Sequence, residues 1–310
     1  MSPESRSKIQ VEVDGRTLTL SNLDKVLYPE AGFTKGEVID YYAKIAPVML
    51  PHLADRPATF KRYPDGVDGK FFFEKNAPRH TPDWVRKVTL PTPGSTKARE
   101  TIDFAVIGEL AALVWAANLA ALELHIPMWR VGPRGKVYDP DLLVFDLDPG
   151  PPATIIECCE VAQLLRSALK DEGLTAYPKT SGSKGMQLYV PVRGAAWQDT
   201  HAYARQLAQR LAEERPDLVV WQMTKEIRGG KVLIDWSQNN GAKTTISVYS
   251  LRARPQPTVS TPISWDEVTA AGSPADLVFT AADTLARVDE HGDLFADLLD
   301  DKHAGRLPAG

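Results

Sequence analysis

Two acids interrupt the apolar run Leu142-Leu143-Val144-Phe145-Asp146-Leu147-Asp148. Side chains alternate faces along a strand, so Asp146 and Asp148 point one way while Phe145 and Leu147 point the other. Residues two apart on a strand sit ~7 Å from one another, near enough for their carboxylates to share divalent ions. Two carboxylates side by side on a half-buried strand repel unless a cation or a strong donor joins them. A third acid, Asp235, interrupts Lys231-Val232-Leu233-Ile234-Asp235-Trp236 in the same way. Three such carboxylates form a candidate metal site of the kind used for phosphoryl transfer. Asp-x-Asp alone is a weak signal, because acids are common on the exposed faces of strands; the third acid gives it weight.

The formal net charge of -4 argues against a polyanionic ligand. The distribution of charge argues for one. Lys225, Arg228, Lys231, Lys243, Arg252 and Arg254 against Glu226 and Asp235 leave the stretch 222–254 at about +4. An acidic stretch, 283–302, stands at about -5 and masks it in the total. Cations beside a metal site suit a triphosphate or a nucleic-acid backbone. Thr180-Ser181-Gly182-Ser183-Lys184-Gly185 offers small residues, hydroxyls and a lysine, which let backbone amides approach phosphate oxygens. It lacks the P-loop order and precedes a strand instead of a helix. His125 follows a long apolar segment. Phe71-Phe72-Phe73 cannot all face one core if they lie in a strand, and an exposed ring can stack on a base. Asn22, Lys25 and Lys35 lie near the start of a long helix, a setting for a single phosphate.

The elements that must carry these residues are mixed. Thr34-Lys35-Gly36-Glu37 and Thr154-Ile155-Ile156-Glu157 are capping boxes that open helices. Residues 107–122 are apolar almost throughout and read as a buried helix. Strands are expected at 17–20, 58–63, 142–148, 186–192, 231–237 and 244–251. The last two, joined by Asn239-Asn240-Gly241, read as a hairpin. Residues 78–93 read as a proline-rich loop, and the first ten as a loose tail. The class is α+β or mixed-sheet α/β, one bilobal catalytic unit over 17–300 between tails at 1–16 and 301–310. No run of eighteen apolar residues predicts a membrane helix, and no apolar leader core follows Met1. The only cysteines, Cys158 and Cys159, are adjacent and cannot build a disulfide framework, so a cytoplasmic protein is expected.

Together the motifs resemble one family. Asn22-Leu23-Asp24-Lys25-Val26-Leu27-Tyr28-Pro29, Arg56-Pro57-Ala58-Thr59, Phe72-Phe73-Glu74-Lys75, Phe145-Asp146-Leu147-Asp148-Pro149-Gly150, Ser181-Gly182-Ser183-Lys184-Gly185 and Asp235-Trp236-Ser237-Gln238-Asn239 occur in the order found in the polymerase domain of bacterial ligase D, within the archaeo-eukaryotic primase superfamily. The resemblance implies a primase-polymerase fold and a template-directed nucleotidyltransferase. Such an enzyme extends DNA 3′ ends with ribo- or deoxyribonucleotides at gaps or breaks in non-homologous end joining. It implies two divalent ions, Mn2+ or Mg2+, on Asp146, Asp148 and Asp235. It implies contacts to the nucleoside triphosphate (NTP or dNTP) from Lys61, His125, Ser181, Lys184, Gln187, Arg228, Lys243 and Arg252. Asn22, Lys25 and Lys35 would hold a DNA 5′-phosphate, and Phe72 and Phe73 would stack on template bases. Ku and an ATP-dependent DNA ligase are the implied partners, with action at the bacterial nucleoid. Many relatives carry histidine at the position of Gln187; glutamine still donates but cannot titrate.

Two other readings use the same residues. A glycosyltransferase binds a nucleotide-sugar through Asp-x-Asp and a metal, but needs no phosphate-binding lysines for DNA. A DNA-end-binding module without activity would keep the basic loops and has no need of the three acids.

Overall fold

The computed structural model describes residues 8–91 and 100–308. The acid-bearing strand, Leu142–Pro149, is the middle of a five-stranded sheet. Its neighbours are Met186–Pro191 and Val232–Asp235, with Tyr177–Thr180 and Val219–Val220 at the edges. Every pairing is antiparallel except that of Val219–Val220. Alternation divides the central strand. Leu143, Phe145 and Leu147 enter a core built on the helices Ile155–Asp171 and Trp197–Glu214. Leu142 and Val144, on the other face, enter a second core. Asp146 and Asp148 continue that second face and are only partly covered. The face is therefore packed at the start of the strand and only partly covered where the acids stand.

The second core belongs to a six-stranded sheet. Its order is Thr245–Ile246, Ala121–Ile126, Pro57–Arg62, Thr101–Val106, Lys87–Pro91, and Phe72–Glu74 also pairs with Pro57–Arg62. The helices Lys35–Leu53 and Leu110–Asn118 cover it. Both predicted capping boxes are present. Thr34 Oγ1 accepts from Glu37 N at 3.3 Å, and the Glu37 carboxylate accepts from Thr34 N at 2.7 Å. Val38, Tyr41, Tyr42, Ile45 and Met49 then fall on one buried stripe. The mixed helix-and-sheet class is as expected.

Several local expectations are corrected. Residues 107–122 are not one helix. The helix ends at Asn118, Ala120 takes a positive φ of 57°, and the chain turns directly into the strand Ala121–Ile126. A short all-apolar run has no periodicity to separate a buried helix from a buried strand. The expected hairpin does not form either. Val232–Asp235 joins the acid-bearing sheet, whereas Thr245–Ile246 pairs with Ala121–Ile126 in the other sheet. Asp235 caps a 3-10 turn at Trp236–Asn239, and Asn239 bonds both Val144 N at 2.8 Å and Val144 O at 2.7 Å. Those side-chain bonds tie Asn239 to the central strand of the acid-bearing sheet, so it is not free to close a two-residue turn, and the next strand pairs in the second sheet. The proline-rich segment contains the edge strand Lys87–Pro91; residues 92 and 93 lie outside the described ones. Lys8–Val13, expected in the tail, pairs with Arg16–Ser21, and residues 1–7 lie outside the described ones. Past residue 300, Gly305 N donates to Pro191 O at 3.0 Å and its carbonyl accepts from Arg193 N at 2.9 Å.

Candidate active site

Strand register puts four polar residues in one row across the acid-bearing sheet. Lys179 is opposite Gln187, Gln187 opposite Asp146, and Asp146 opposite Asp235. Directly paired residues project to the same face. Lys179 and Gln187 are buried, at 0% and 3% exposure, and the row opens to solvent at the two aspartates. Burial and the facing Asp235 raise the Asp146 carboxyl to about 6, and the Gln187 amide and Lys179 oppose that rise. Burial pushes the Lys179 ammonium well below the ordinary lysine range. It donates to Ser260 Oγ and, at 3.2 Å, to Ile246 O.

The other two acids have present partners. Asp235 Oδ1 accepts from Ser237 N at 2.9 Å and Ser237 Oγ at 2.6 Å, and Oδ2 from Gln238 Nε2 at 2.8 Å. Lys243 donates to the same Ser237 hydroxyl. Asp148 Oδ2 lies 3.6 Å from Arg228 Nη1. Among the described residues no three His, Cys, Asp or Glu side chains ring a single point. The acids form a facing pair with a neighbour two residues along, not a closed cage. The donor set nevertheless fits a divalent ion: all are hard carboxylate oxygens, and the like-charge pair is what a dication relieves.

A second set of residues adjoins this row. Ser181 Oγ accepts from Ser183 N at 3.2 Å and Gly185 N at 3.1 Å, folding its own loop around itself. Gly182 has a φ of 65°, and a Cβ there would stand 2.6 Å from the Val259 carbonyl, so only glycine fits this approach. Arg252 donates to Ser181 O, and Arg254 to Ser183 Oγ. Lys184 and Lys243 are exposed. Gln187 Oε1, Arg228 Nε and Arg252 Nε are buried without a hydrogen-bond partner among the described residues.

Glu123, 2% exposed, joins this set to the second sheet. Its carboxylate lies 3.0 Å from His125 Nε2, 3.3 Å from Arg252 Nε and 3.7 Å from Lys61 Nζ. Burial alone would raise its pKa, but the His125 hydrogen bond and the Arg252 charge hold it well below the usual carboxylate range. Burial lowers His125, and Glu123 opposes that. Lys61 Nζ also stands over the rings of Phe71, Tyr63 and Phe73, at 4.5, 5.2 and 5.7 Å from their centroids.

Phe72 and Phe73 point to different places. Phe73 pairs with Lys61 and packs edge-on against His125 at 6.0 Å. Phe72 pairs with Arg62, whose guanidinium lies 5.1 Å over its ring. Both rings are about half exposed, at 43% and 53%. The charge of Arg62 in turn acts on Lys35. Lys35 is buried at 6% and donates to Ser21 O at 2.6 Å; burial, then Lys25, then Arg62 lower it to about 8. The loop bearing Asn22 and Lys25 is strapped to the helix start by Gly36 N to Leu23 O, 2.8 Å, and Lys35 N to Lys25 O, 2.8 Å. Lys25 pairs with Asp65 at 2.9 Å.

The residues singled out in the sequence thus fall into two adjoining groups, separated by the two faces of Pro57–Arg62. Sequence reasoning passed over Glu123, Lys179 and Arg62. Glu123-x-His125 inside an apolar run is the same alternating signal as Asp146-x-Asp148, hidden by the helical reading of residues 107–122. Tyr177–Thr180 carries no comparable mark for Lys179.

Residues 34–295 match the family model for the LigD primase-polymerase domain. The chain is similar to the multifunctional non-homologous end joining protein LigD of Mycolicibacterium smegmatis, with 45% identity over 90% of this chain and 36% of that protein. It is also similar to the bifunctional non-homologous end joining protein LigD of Bacillus subtilis, with 31% identity over 90% of this chain and 44% of that protein. It spans less than half the length of these curated relatives. Its fold is similar to the polymerase domain of Mycobacterium tuberculosis ligase D solved in complex with DNA, with a TM-score of 0.86 and 43% identity over 91% of this chain and 98% of that one. A chain that sets Asp146 opposite Asp235 beside basic side chains, and that carries these likenesses, belongs to the LigD primase-polymerase domain family.

Proposed function

We propose that this chain extends a DNA 3′-hydroxyl, template-directed, at gaps or breaks carrying a 5′-phosphate, using nucleoside triphosphates. Membership of the family makes it a DNA-directed nucleotidyltransferase of the primase-polymerase type, and the family works with a divalent metal. The observation that carries the finer reading is the pairing of Asp146 with Asp235 beside Asp148, at the open end of a face lined by cations. Asp146, Asp148 and Asp235 would hold two divalent ions, Mn2+ or Mg2+. When bound, such ions lower the pKa of an attacking hydroxyl and neutralise charge on the transferred phosphoryl group.

The chain's own residues supply binding and orientation. Ser181, Lys184, Arg252 and Lys61 bind the triphosphate, with Lys243 and Arg228 flanking it. Gln187 donates beside Asp146. His125 lies between Glu123 and Phe73 and borders the nucleotide. Asn22, Lys25 and Lys35 hold the 5′-phosphate, with Arg62, which lies over the Phe72 ring, adding charge near Lys35. Phe72 and Phe73 stack on bases, one toward each group. Ku and an ATP-dependent ligase are the expected partners at the nucleoid in the bacterial cytoplasm.

The test is incubation with gapped, 5′-phosphorylated duplex, Mn2+ and labelled ATP or dATP. Extension by one or a few nucleotides is expected. Binding without extension would make the chain a DNA-end-binding module instead. The nucleotide-sugar reading has no support from the family.

A further inference from the structure

We infer that Glu123 is a positioning residue of the nucleotide site, a buried carboxylate that fixes three cationic or proton-bearing side chains for a triphosphate. The inference rests on the nucleotidyl-transfer reading above. Glu123 sits in the middle of Ala121–Ile126, directly opposite Lys61 on the neighbouring strand and two residues from His125 on the same face. Its side chain is 3% exposed. Oε2 takes the hydrogen bond from His125 Nε2 at 3.0 Å. Oε1 faces Arg252 Nε at 3.3 Å and Lys61 Nζ at 3.7 Å, and accepts from Ala253 N at 3.1 Å. The last bond holds the backbone next to Arg252, whose guanidinium faces the same carboxylate oxygen as an ion pair.

The arrangement spans both sheets. Lys61, Glu123 and His125 belong to the six-stranded sheet. Arg252 reaches from Glu123 to the carbonyl of Ser181, in the loop that leaves the acid-bearing sheet. Without a buried anion, Lys61 and Arg252 would repel each other, and flexible side chains in that state swing toward water. A carboxylate at this position is unfavourable for anion binding by simple charge counting. Its benefit is preorganisation: cations held in place before the ligand arrives lose less freedom on binding. It also fixes the proton on His125 Nε2, leaving Nδ1 as the ring atom with no hydrogen bond among the described residues.

Steady-state extension on gapped, 5′-phosphorylated DNA with Mn2+ separates the possibilities. Glu123→Gln keeps the shape and one acceptor but removes the charge and confronts His125 with an N–H donor. The expected result is a KM for ATP raised about tenfold, a change corresponding to 1.4 kcal/mol. The fall in kcat should be smaller than the rise in KM, with gapped-DNA affinity altered less than twofold. Glu123→Asp, which restores the charge, should recover most of the KM. Adding Lys61→Met to Glu123→Gln should raise KM by less than Lys61→Met does alone in the otherwise native protein. An unchanged KM in Glu123→Gln, or additive effects with Lys61→Met, overturns the inference. If Glu123→Gln fails to fold, the double variant decides. Recovery of cooperative melting supports the cation-holding role, and no recovery overturns it. Absence of extension by the native protein would instead overturn the polymerase reading on which this rests.

Discussion

Asp146 and Asp235 are direct cross-strand partners, almost ninety residues apart in the chain and on the same face of one sheet. Two carboxylates in that relation are unfavourable when both are ionised. The folded protein holds Asp146 at about 6, with burial as the larger cause and Asp235 as the next. A carboxyl whose folded pKa lies above its unfolded one binds more protons when folded. Ionised at neutral pH it subtracts stability, and that penalty shrinks as the pH falls through 6 toward 4.

Asp146→Asn therefore separates stability from activity. Without metal at pH 7.5 the variant should be more stable than the native protein, on the order of 1–3 kcal/mol, while extension is lost. Thermal melting and primer extension on the same preparation check this. A lower melting temperature with activity retained would contradict both halves.

The same pKa predicts how metal binding responds to acid. An ion needs the carboxylate form, so binding below pH 6 must displace a proton. Mn2+ affinity should be flat from pH 7 to 8 and fall by up to about tenfold per unit below 6. Calorimetric titration of Mn2+ in buffers of different ionisation heat would show the proton release. An affinity unchanged between pH 7 and 5 would rule it out.

Lys35 sets an opposite limit at high pH. Held at about 8 by burial and by Lys25 and Arg62, it loses its charge in the free protein sooner than an ordinary lysine. The preference for 5′-phosphorylated over unphosphorylated gapped DNA should decline as pH rises from 7 to 9.5. Fluorescence anisotropy with the two DNAs measures the ratio. Lys25→Ala should reduce the same ratio at pH 7 and leave the binding of unphosphorylated DNA nearly unaltered.

Gly150 ties the acid-bearing strand to the segment carrying Arg228. A Cβ at Gly150 would stand 2.0 Å from the Arg228 carbonyl oxygen. Gly150 N also donates to Lys231 O at 2.8 Å, and its carbonyl accepts from Gly230 N at 3.0 Å. Gly150→Ala must push that segment away from Asp148. The expected cost is about 2–4 kcal/mol, together with weaker extension. Chemical denaturation and extension assays would detect it, and a variant indistinguishable from native would show that the segment yields freely.

Local patterns were readable where chemistry and periodicity agree. Thr34 and Thr154 announced their helices because a capping box needs only residues three apart. The Asp146–Asp148 pair was readable because strand alternation needs only two. The 107–122 run failed this test: apolar residues on every side leave nothing to distinguish a helix that stops at Asn118 from a strand that starts at Ala121. That error concealed Glu123. The Asn239-Asn240-Gly241 hairpin failed for another reason. Turn chemistry proposes a reversal, but the Asn239 side chain is committed to the Val144 backbone, and the next strand finds its partner in the other sheet.

By itself the sequence determined which residues share a face within one element, where its helices begin, and, through ordered motifs, the family. Only the tertiary structure decided that Asp235 stands opposite Asp146, that Lys179 and Gln187 complete the row, and that Phe73 pairs with Lys61 while Phe72 pairs with Arg62. Alternation along a strand is dictated by adjacent backbone geometry. Register between strands is instead chosen by which apolar faces can be buried together, and that choice draws on side chains from the whole chain.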